Sequence, residues 1–177
     1  MRSNPFRQTP SDAHASRPDF AGPRGPGEES VWDYPRPPAV RRDGRLIEVR
    51  SENVVIAKTT ASFKVMETAS PPTFYISPEH VDLDALVRLA GATICEWKGA
   101  ASYWALAADL DRPVAWSYER PRARFDMIRG FLAFYPGRVE CFVDGERVRP
   151  QPGRFYGGWI TGEVVGPFKG EPGTGHW

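Results

Sequence analysis

The sequence predicts a single, mainly β domain made of folded antiparallel sheets with a few short helices. Short stretches rich in β-branched and aromatic residues recur between positions 46 and 143, and turn residues separate them at short intervals. Two Asp-Gly pairs stand between apolar stretches, and this dipeptide favours hairpin turns. Such a pattern is typical of a sandwich, a barrel or a folded sheet.

Strands fill the first half of the predicted core. Asp43-Gly44 is expected to form a hairpin, Glu52-Asn53 a turn, and Pro71-Pro72 an interruption between strands. β-branched or alternating stretches predict strands over residues 46–50, 54–60, 63–67 and 73–76.

The second half of the core adds two predicted helices to further strands. The first begins at Ser77-Pro78-Glu79 with a capping serine, has apolar residues from Val81 to Leu89 spaced to bury one helix face, and ends at Gly91. The second covers residues 121–130. Asp109–Arg112 predicts a polar turn and Asp144-Gly145 the clearest hairpin of the chain. The remaining strands are predicted over residues 114–118, 131–135 and 139–143.

The two ends differ from this core in composition. Residues 1–27 are rich in proline and poor in apolar residues, so we expect a disordered N-terminal tail. Residues 28–39 predict an extended Pro/aromatic arm that docks Trp32 and Tyr34 on the domain. The alternative is that this arm binds the aromatic groove of a partner. Residues 40–150 are then the β-rich core, and the Gly/aromatic residues 151–177 wrap over it.

Composition excludes several classes of function. A net charge of +1 gives no electrostatic reason to expect a nucleic-acid partner. No apolar run approaches the roughly 20 residues that span a bilayer, so we expect a cytoplasmic protein without membrane contact. With two cysteines and three histidines, a metal centre is not expected. Cofactor and oligomeric state stay open.

Residues 93–104 are the stretch densest in reactive groups, and they predict two strands joined by a bend at Gly99. Cys95 is the candidate nucleophile, because a nearby ammonium such as Lys98 lowers a thiol pKa. Strand alternation places Cys95 and Lys98 on opposite faces unless the backbone bends before Gly99. The alternative is that Cys95, like Cys141, is a buried packing residue.

A second hypothesis concerns ligand binding. Large aromatic residues concentrate in adjoining predicted strands, and such residues form either core or the walls of a small-molecule pocket. Glu67 ends one of these strands and supplies a carboxylate for acid–base work beside Lys98. The predicted ligand-binding residues are Glu67, Tyr75, Lys98, Tyr103, Trp116 and Tyr118, and the catalytic candidates are Cys95, Lys98 and Glu67.

The chain resembles the bacterial domain of unknown function 427. The resemblance runs from about residue 31 to residue 177, with Glu96 where family members more often carry proline. Its motifs here are residues 65–68, 71–75, 95–104, 115–119, 130–135, 155–159 and 166–170.

The resemblance implies a β-tent (Mss4-like) layout, as in the methionine sulfoxide reductase B class. Some proteins of that class bind zinc through paired CxxC motifs, but this chain has no CxxC and zinc is not carried over. The family sometimes bears a nucleotidyltransferase label. The Gly-Ser motif with paired aspartates that such enzymes use does not occur here.

Three functions follow as hypotheses. The leading one is binding of a small molecule in an aromatic cleft that contains lysine, glutamate and tyrosine side chains. The others are a transferase-like or other enzyme that uses Cys95 or Lys98, and a protein-interaction module that uses the Trp32–Pro38 arm.

Overall fold

The computed structural model describes residues 17–153 and 155–177. Within these ranges strands dominate, and the helices are short 3₁₀ segments over Val31–Asp33, Pro78–His80, Leu83–Ala85 and Ala123–Ile128. The strands are β1 (Glu29–Ser30), β2 (Ala39–Asp43), β3 (Ile47–Ser51), β4 (Val54–Thr59), β5 (Ser62–Glu67), β6 (Ser70–Tyr75), β7 (Leu86–Cys95), β8 (Gly99–Leu106), β9 (Asp109–Ser117), β10 (Leu132–Phe134), β11 (Glu140–Val143), β12 (Glu146–Arg147), β13 (Arg149–Pro150), β14 (Trp159–Ile160) and β15 (Val164–Val165).

These strands form three antiparallel sheets and two small ribbons. The sheets have the strand orders β2-β5-β6, β12-β11-β3-β4 and β10-β9-β8-β7. An antiparallel ribbon joins β13 to β14, and a parallel ribbon joins β1 to β15. The predicted class, a single mainly β domain with antiparallel sheets, is confirmed. The finer β-tent layout stays a prediction.

Two aromatic-rich cores share strands that are buried on both faces. In β6 the fully buried Phe74 enters the first core and the next residue, Tyr75, enters the second. In β9, Ala115 and Trp116 divide in the same way. Because strand side chains alternate between faces, each of these strands contributes to both cores. The second core lies beneath the candidate site.

The predicted hairpin at Asp43-Gly44 is wrong. β2 pairs with β5, whereas β3 pairs with β4 and β11, so the connection joins two different sheets. The Asp43 carboxylate accepts a hydrogen bond from the backbone nitrogen of Arg45 at 3.0 Å. This local bond makes the corner an Asx-type turn that redirects the chain instead of reversing it.

The helix predicted from Ser77 to Gly91 is also wrong. Two 3₁₀ turns occupy its first half, and β7 begins at Leu86. Ser77 makes no capping hydrogen bond with its side chain, and Gly91, with φ of 90°, lies at a bulge in β7. Pairing with β8 therefore overrides the apolar spacing that suggested a helix. The second predicted helix is a kinked 3₁₀ segment of six residues, Ala123–Ile128.

Two smaller corrections concern turns. Pro71 and Pro72 lie inside β6, where an edge position and a register irregularity in its pairing with β5 tolerate them. The residues predicted as a polar turn, Asp109–Arg112, begin β9 instead. By contrast, Glu52 and Asn53 both have positive φ in a turn, and Asp144-Gly145 connects β11 to β12 as predicted.

The N-terminal arm contacts the C-terminal segment of the chain. The indole nitrogen of Trp32 donates to the carbonyl of Pro167 at 2.9 Å, and β1 pairs with β15 in the same region. The Phe20 ring lies 4.9 Å from that of Trp32 and 5.2 Å from that of Trp177. Residues 1–16 of the predicted tail lie outside the described residues. None of the helices described is long and apolar enough to cross a membrane.

Candidate functional site

A cleft of about 290 Å³ opens between the β7–β8 hairpin, the β5–β6 pair, β9 and the C-terminal segment. All the residues predicted as site residues line it, namely Glu67, Tyr75, Cys95, Lys98, Tyr103, Trp116 and Tyr118. The structure therefore brings together groups from five strands (β5 to β9), the turn between β7 and β8, and the residue that follows β9. Their roles in binding or catalysis are proposals, developed below.

The turn at residues 96–98 positions the lysine. β7 ends at Cys95, which pairs with Gly99 at the start of β8, and Gly99 has φ of 101°, a conformation that glycine adopts without strain. The carbonyl of Lys98 accepts a hydrogen bond from the backbone nitrogen of Arg122 at 3.1 Å. This contact fixes the turn, and the side chain of Lys98 lies in the cleft.

Lys98 has a largely buried side chain, and its ammonium makes no hydrogen bond to any described residue. Its side chain is only 9% exposed, and its Nζ lies 3.8 Å from Oε2 of Glu67. That separation is an ion pair but exceeds hydrogen-bond distance. The ammonium also lies 5.6 Å from the centre of the Phe125 ring. Charge is therefore balanced, while none of the described residues accepts a hydrogen bond from the ammonium.

The floor of the cleft is made of three buried aromatic residues, Tyr75, Trp116 and Tyr118. The Trp116 indole nitrogen donates to the Tyr75 hydroxyl at 3.1 Å, and the two rings meet edge to face. Burial raises the pKa of both Tyr75 and Tyr118 above that of a free tyrosine. Both therefore stay neutral, and the floor presents an apolar surface.

Two further tyrosines form the sides. The Tyr103 hydroxyl is 2.6 Å from the hydroxyl of Thr93 on the neighbouring strand. The Tyr135 ring lies 4.5 Å from that of Trp116. Burial, with a smaller contribution from Tyr103, raises the pKa of Tyr135 to about 12. The Tyr135 hydroxyl is therefore neutral near pH 7.

The C-terminal segment supplies a wall that sequence reasoning did not include in the site. Its lining residues are Gln151, Phe155, Tyr156, Gly157 and Lys169. The buried Gln151 amide accepts from the nitrogen of Gly158 at 3.1 Å and donates to the carbonyl of Lys169 at 2.8 Å. It thereby joins two parts of the segment that are far apart in sequence.

Close packing holds this wall against the floor. A Cβ atom at Gly157 would lie 2.4 Å from Cη2 of Trp116, so only glycine fits there. Lys169 donates to the carbonyl of Trp177 at 2.6 Å and its ammonium lies 5.5 Å from the Tyr156 ring centre. The Gly157-Gly158 pair flanked by aromatics was the sequence signal that could have revealed this wall.

Cys95 is half-buried and lines the cleft together with Lys98. The expected opposition of the two side chains does not apply, because the strand ends at Cys95 and Lys98 belongs to the turn. Cys141 is 1% exposed, and burial raises the pKa of its thiol. Cys141 is thus a core residue, as the sequence suggested.

His80, which the apolar pattern placed in a helix, lies outside the cleft with its ring nitrogen 2.9 Å from the Thr59 hydroxyl. The described residues contain no group of three or more His, Cys, Asp or Glu side chains that could hold a metal ion.

Comparison with known proteins identifies the family. A family model described as a domain of unknown function (DUF427) matches residues 39–145, which include all seven predicted site residues. The C-terminal wall lies outside this match. None of the curated proteins compared with this chain matches it. Because the model covers more than half of the 177 residues, the chain belongs to the DUF427 family.

Proposed function

We propose that this protein binds a small molecule in the cleft between the β7–β8 hairpin and the C-terminal wall. One observation carries the proposal: the Lys98 side chain is nine-tenths buried and lines the cleft, and its ammonium has no hydrogen-bond partner among the described residues. Buried charged groups normally make hydrogen bonds, because an unsatisfied donor loses its solvation without compensation. A ligand oxygen in the cleft supplies the missing acceptor.

The lining of the cleft suits a flat ligand that is mostly apolar. Tyr and Trp rings line the floor and sides, and such rings stack on planar ligands or meet them edge to face. A volume of about 290 Å³ lies at the small end of the range for ligand pockets, so the ligand is small. Glu67 and Lys98 are its polar contacts. Tyr103, whose hydroxyl is bonded to Thr93, contributes its ring, and Tyr75, Trp116 and Tyr118 are the remaining apolar surface.

The proposal includes a cytoplasmic setting and no nucleic-acid partner. The arm from Trp32 to Pro38 is not assigned a partner, since the Trp32 side chain packs on Phe20 and Trp177 of its own chain.

Thermal-shift measurements with a metabolite collection test the proposal. We expect some compounds to raise the melting temperature of the wild type and to lose this effect in Lys98→Met. Lys58→Met is the matched control, because Lys58 lies on β4 with its side chain 57% exposed, outside the cleft. Shifts that survive in Lys98→Met, or no shift with any compound class, would contradict the proposal.

The second candidate is an enzyme that uses Cys95 or Lys98, with Glu67 as an acid or base. The observation that favours it is that a thiol, an ammonium and a carboxylate line one small cleft. A thiolate beside an ammonium is a nucleophile, and a carboxylate can move protons. Turnover of a bound compound by the wild type and not by Cys95→Ala would support catalysis. Unchanged turnover in that variant would exclude the thiol.

A further inference from the structure

Several polar groups in the cleft are already engaged within the protein. The Tyr103 hydroxyl is bonded to Thr93, and the Trp116 indole nitrogen to Tyr75. The ammonium of Lys169 donates to the carbonyl of Trp177. Each of these groups has an internal partner, so recognition of a ligand by hydrogen bonds falls to the groups that remain.

The side chains of Lys98 and Glu67 are two such groups, and they are complementary. Neither makes a hydrogen bond to a described residue, and their charged atoms are 3.8 Å apart. The Glu67 side chain is 29% exposed, whereas that of Lys98 is 9% exposed. One group can only donate and the other can only accept, so together they present an adjacent donor and acceptor.

The charged side chains that line the cleft balance. Glu67 and Glu96 contribute two negative charges, and Lys98 and Lys169 contribute two positive charges, which leaves a net charge of zero. An anion attracted by Lys98 would lie almost as close to Glu67, and a cation attracted by Glu67 would lie almost as close to Lys98. In either case repulsion offsets most of the attraction, while the ligand still loses its hydration.

We propose that the ligand is an uncharged planar ring compound with an amide-type edge, whose carbonyl oxygen accepts from Lys98 and whose N–H donates to Glu67. This inference rests on the proposed function and specifies its ligand class. An amide carries its acceptor and its donor on the same carbon, a spacing that suits two protein groups 3.8 Å apart. A carboxylate lacks the donor and an amidinium lacks the acceptor. Each would leave one of the two protein groups unpaired.

The ring of the compound then lies against the aromatic floor. Because Tyr75 and Trp116 satisfy each other, contact with an apolar ring breaks no hydrogen bond there. The amide-type edge determines how the compound is oriented in the cleft, and its ring supplies most of the apolar area that is buried on binding.

Three probes of equal shape test the inference: benzamide, benzoate and benzamidinium. Each is titrated into the full chain, with binding followed by tryptophan fluorescence or by ligand NMR. We expect benzamide to bind the wild type about tenfold more tightly than either ion, since unmatched buried groups cost at least this much in affinity.

Two charge variants shift the preference in opposite directions. Glu67→Gln leaves the cleft with a net positive charge, so the affinity for benzoate should rise relative to that for benzamide. Lys98→Gln leaves the cleft with a net negative charge, so the affinity for benzamidinium should rise relative to that for benzamide. Glu79→Gln, an exposed acid outside the cleft, is the matched control and should leave all three affinities unchanged. Thermal unfolding of each variant verifies that it folds.

Tightest binding of benzoate or benzamidinium to the wild type would overturn the neutral-ligand inference. So would failure of all three probes to bind, or a preference that stays the same in both charge variants. The proposed function is judged separately, because it depends only on metabolite-induced thermal shifts that require Lys98. A charged metabolite that needs Lys98 would uphold the proposed function and overturn this inference.

Discussion

Replacement of Gly157 by alanine tests the packing that closes the cleft. An added Cβ would lie 2.4 Å from Cη2 and 2.6 Å from Cζ3 of Trp116, and 3.1 Å from Cδ1 of Tyr135. The Trp116 ring cannot simply move away, because its nitrogen is bonded to Tyr75 and the residue is only 7% exposed. The φ of Gly157 is not in the left-handed region, so the effect of the substitution is steric.

The expected cost follows from the overlap. Extra methyl groups in a packed interior lower the free energy of unfolding by about 1–3 kcal/mol. For a domain of this size each 1 kcal/mol lowers the melting temperature by roughly 2–4 °C, so we expect a decrease of roughly 2–12 °C. The C-terminal wall should also loosen, which weakens any ligand that binds the cleft.

A double-mutant cycle assigns the cost to the tryptophan. Phenylalanine at position 116 lacks the two closest indole atoms, so in Trp116→Phe the alanine should cost less than about 1 kcal/mol. Urea unfolding gives all four free energies. Gly175→Ala is the control, because nothing lies within 4 Å of a Cβ at that position. Equal costs of Gly157→Ala in both backgrounds, or a cost no greater than that of Gly175→Ala, would refute the reasoning.

Three further predictions concern titration and reactivity. Burial opposes ionisation of Asp43, but hydrogen bonds from Arg45 outweigh it and lower the pKa of the carboxyl, so its contribution to stability is lost as pH falls below about 4. Asp43→Asn should therefore reduce the loss of unfolding free energy at acid pH, and an unchanged loss would contradict this role of Asp43. Burial raises the pKa of Tyr135 to about 12, so the free energy of unfolding should fall as pH rises from about 10, where unfolded tyrosine ionises, to about 12. Tyr135→Phe should reduce this dependence on pH, whereas an equal dependence would show that the Tyr135 hydroxyl is solvated. A thiol reagent at neutral pH should label Cys95 and leave Cys141 unmodified until the protein unfolds, as peptide mass spectrometry would show; equal labelling of both in the native state would contradict the described burial.

The candidate site was predictable where its residues lie close in sequence. Gly99 signalled the bend between β7 and β8, and the density of functional groups around it indicated the cleft. Glu67 was included because it ends a strand. These inferences needed only strand alternation and turn chemistry, which act over a few residues.

Features that depend on long-range packing were not predictable. Leu86 to Gly91 has apolar spacing that suits a helix as well as a strand, and only pairing with β8 decides between them. Asp43-Gly44 resembles a hairpin turn locally, yet β2 has its partner, β5, beyond two intervening strands. In both cases the deciding contacts come from other strands.

The C-terminal wall is the clearest case of this limit. From the sequence alone Gln151 is typical of an exposed polar loop, but in the structure it is 3% exposed and hydrogen-bonded to Gly158 and Lys169. Glycine at position 157 is explained by the Trp116 ring, which is 41 positions earlier in the chain. A glycine flanked by aromatics indicates close approach of the backbone to some partner, but the sequence does not say which.

Crystals soaked with a collection of small planar compounds would test the central claim most directly. The account predicts that bound compounds concentrate in the cleft, with an oxygen within hydrogen-bond distance of the Lys98 ammonium. Compounds scattered elsewhere on the surface, with Lys98 hydrogen-bonded to Glu67 in an empty cleft, would contradict it.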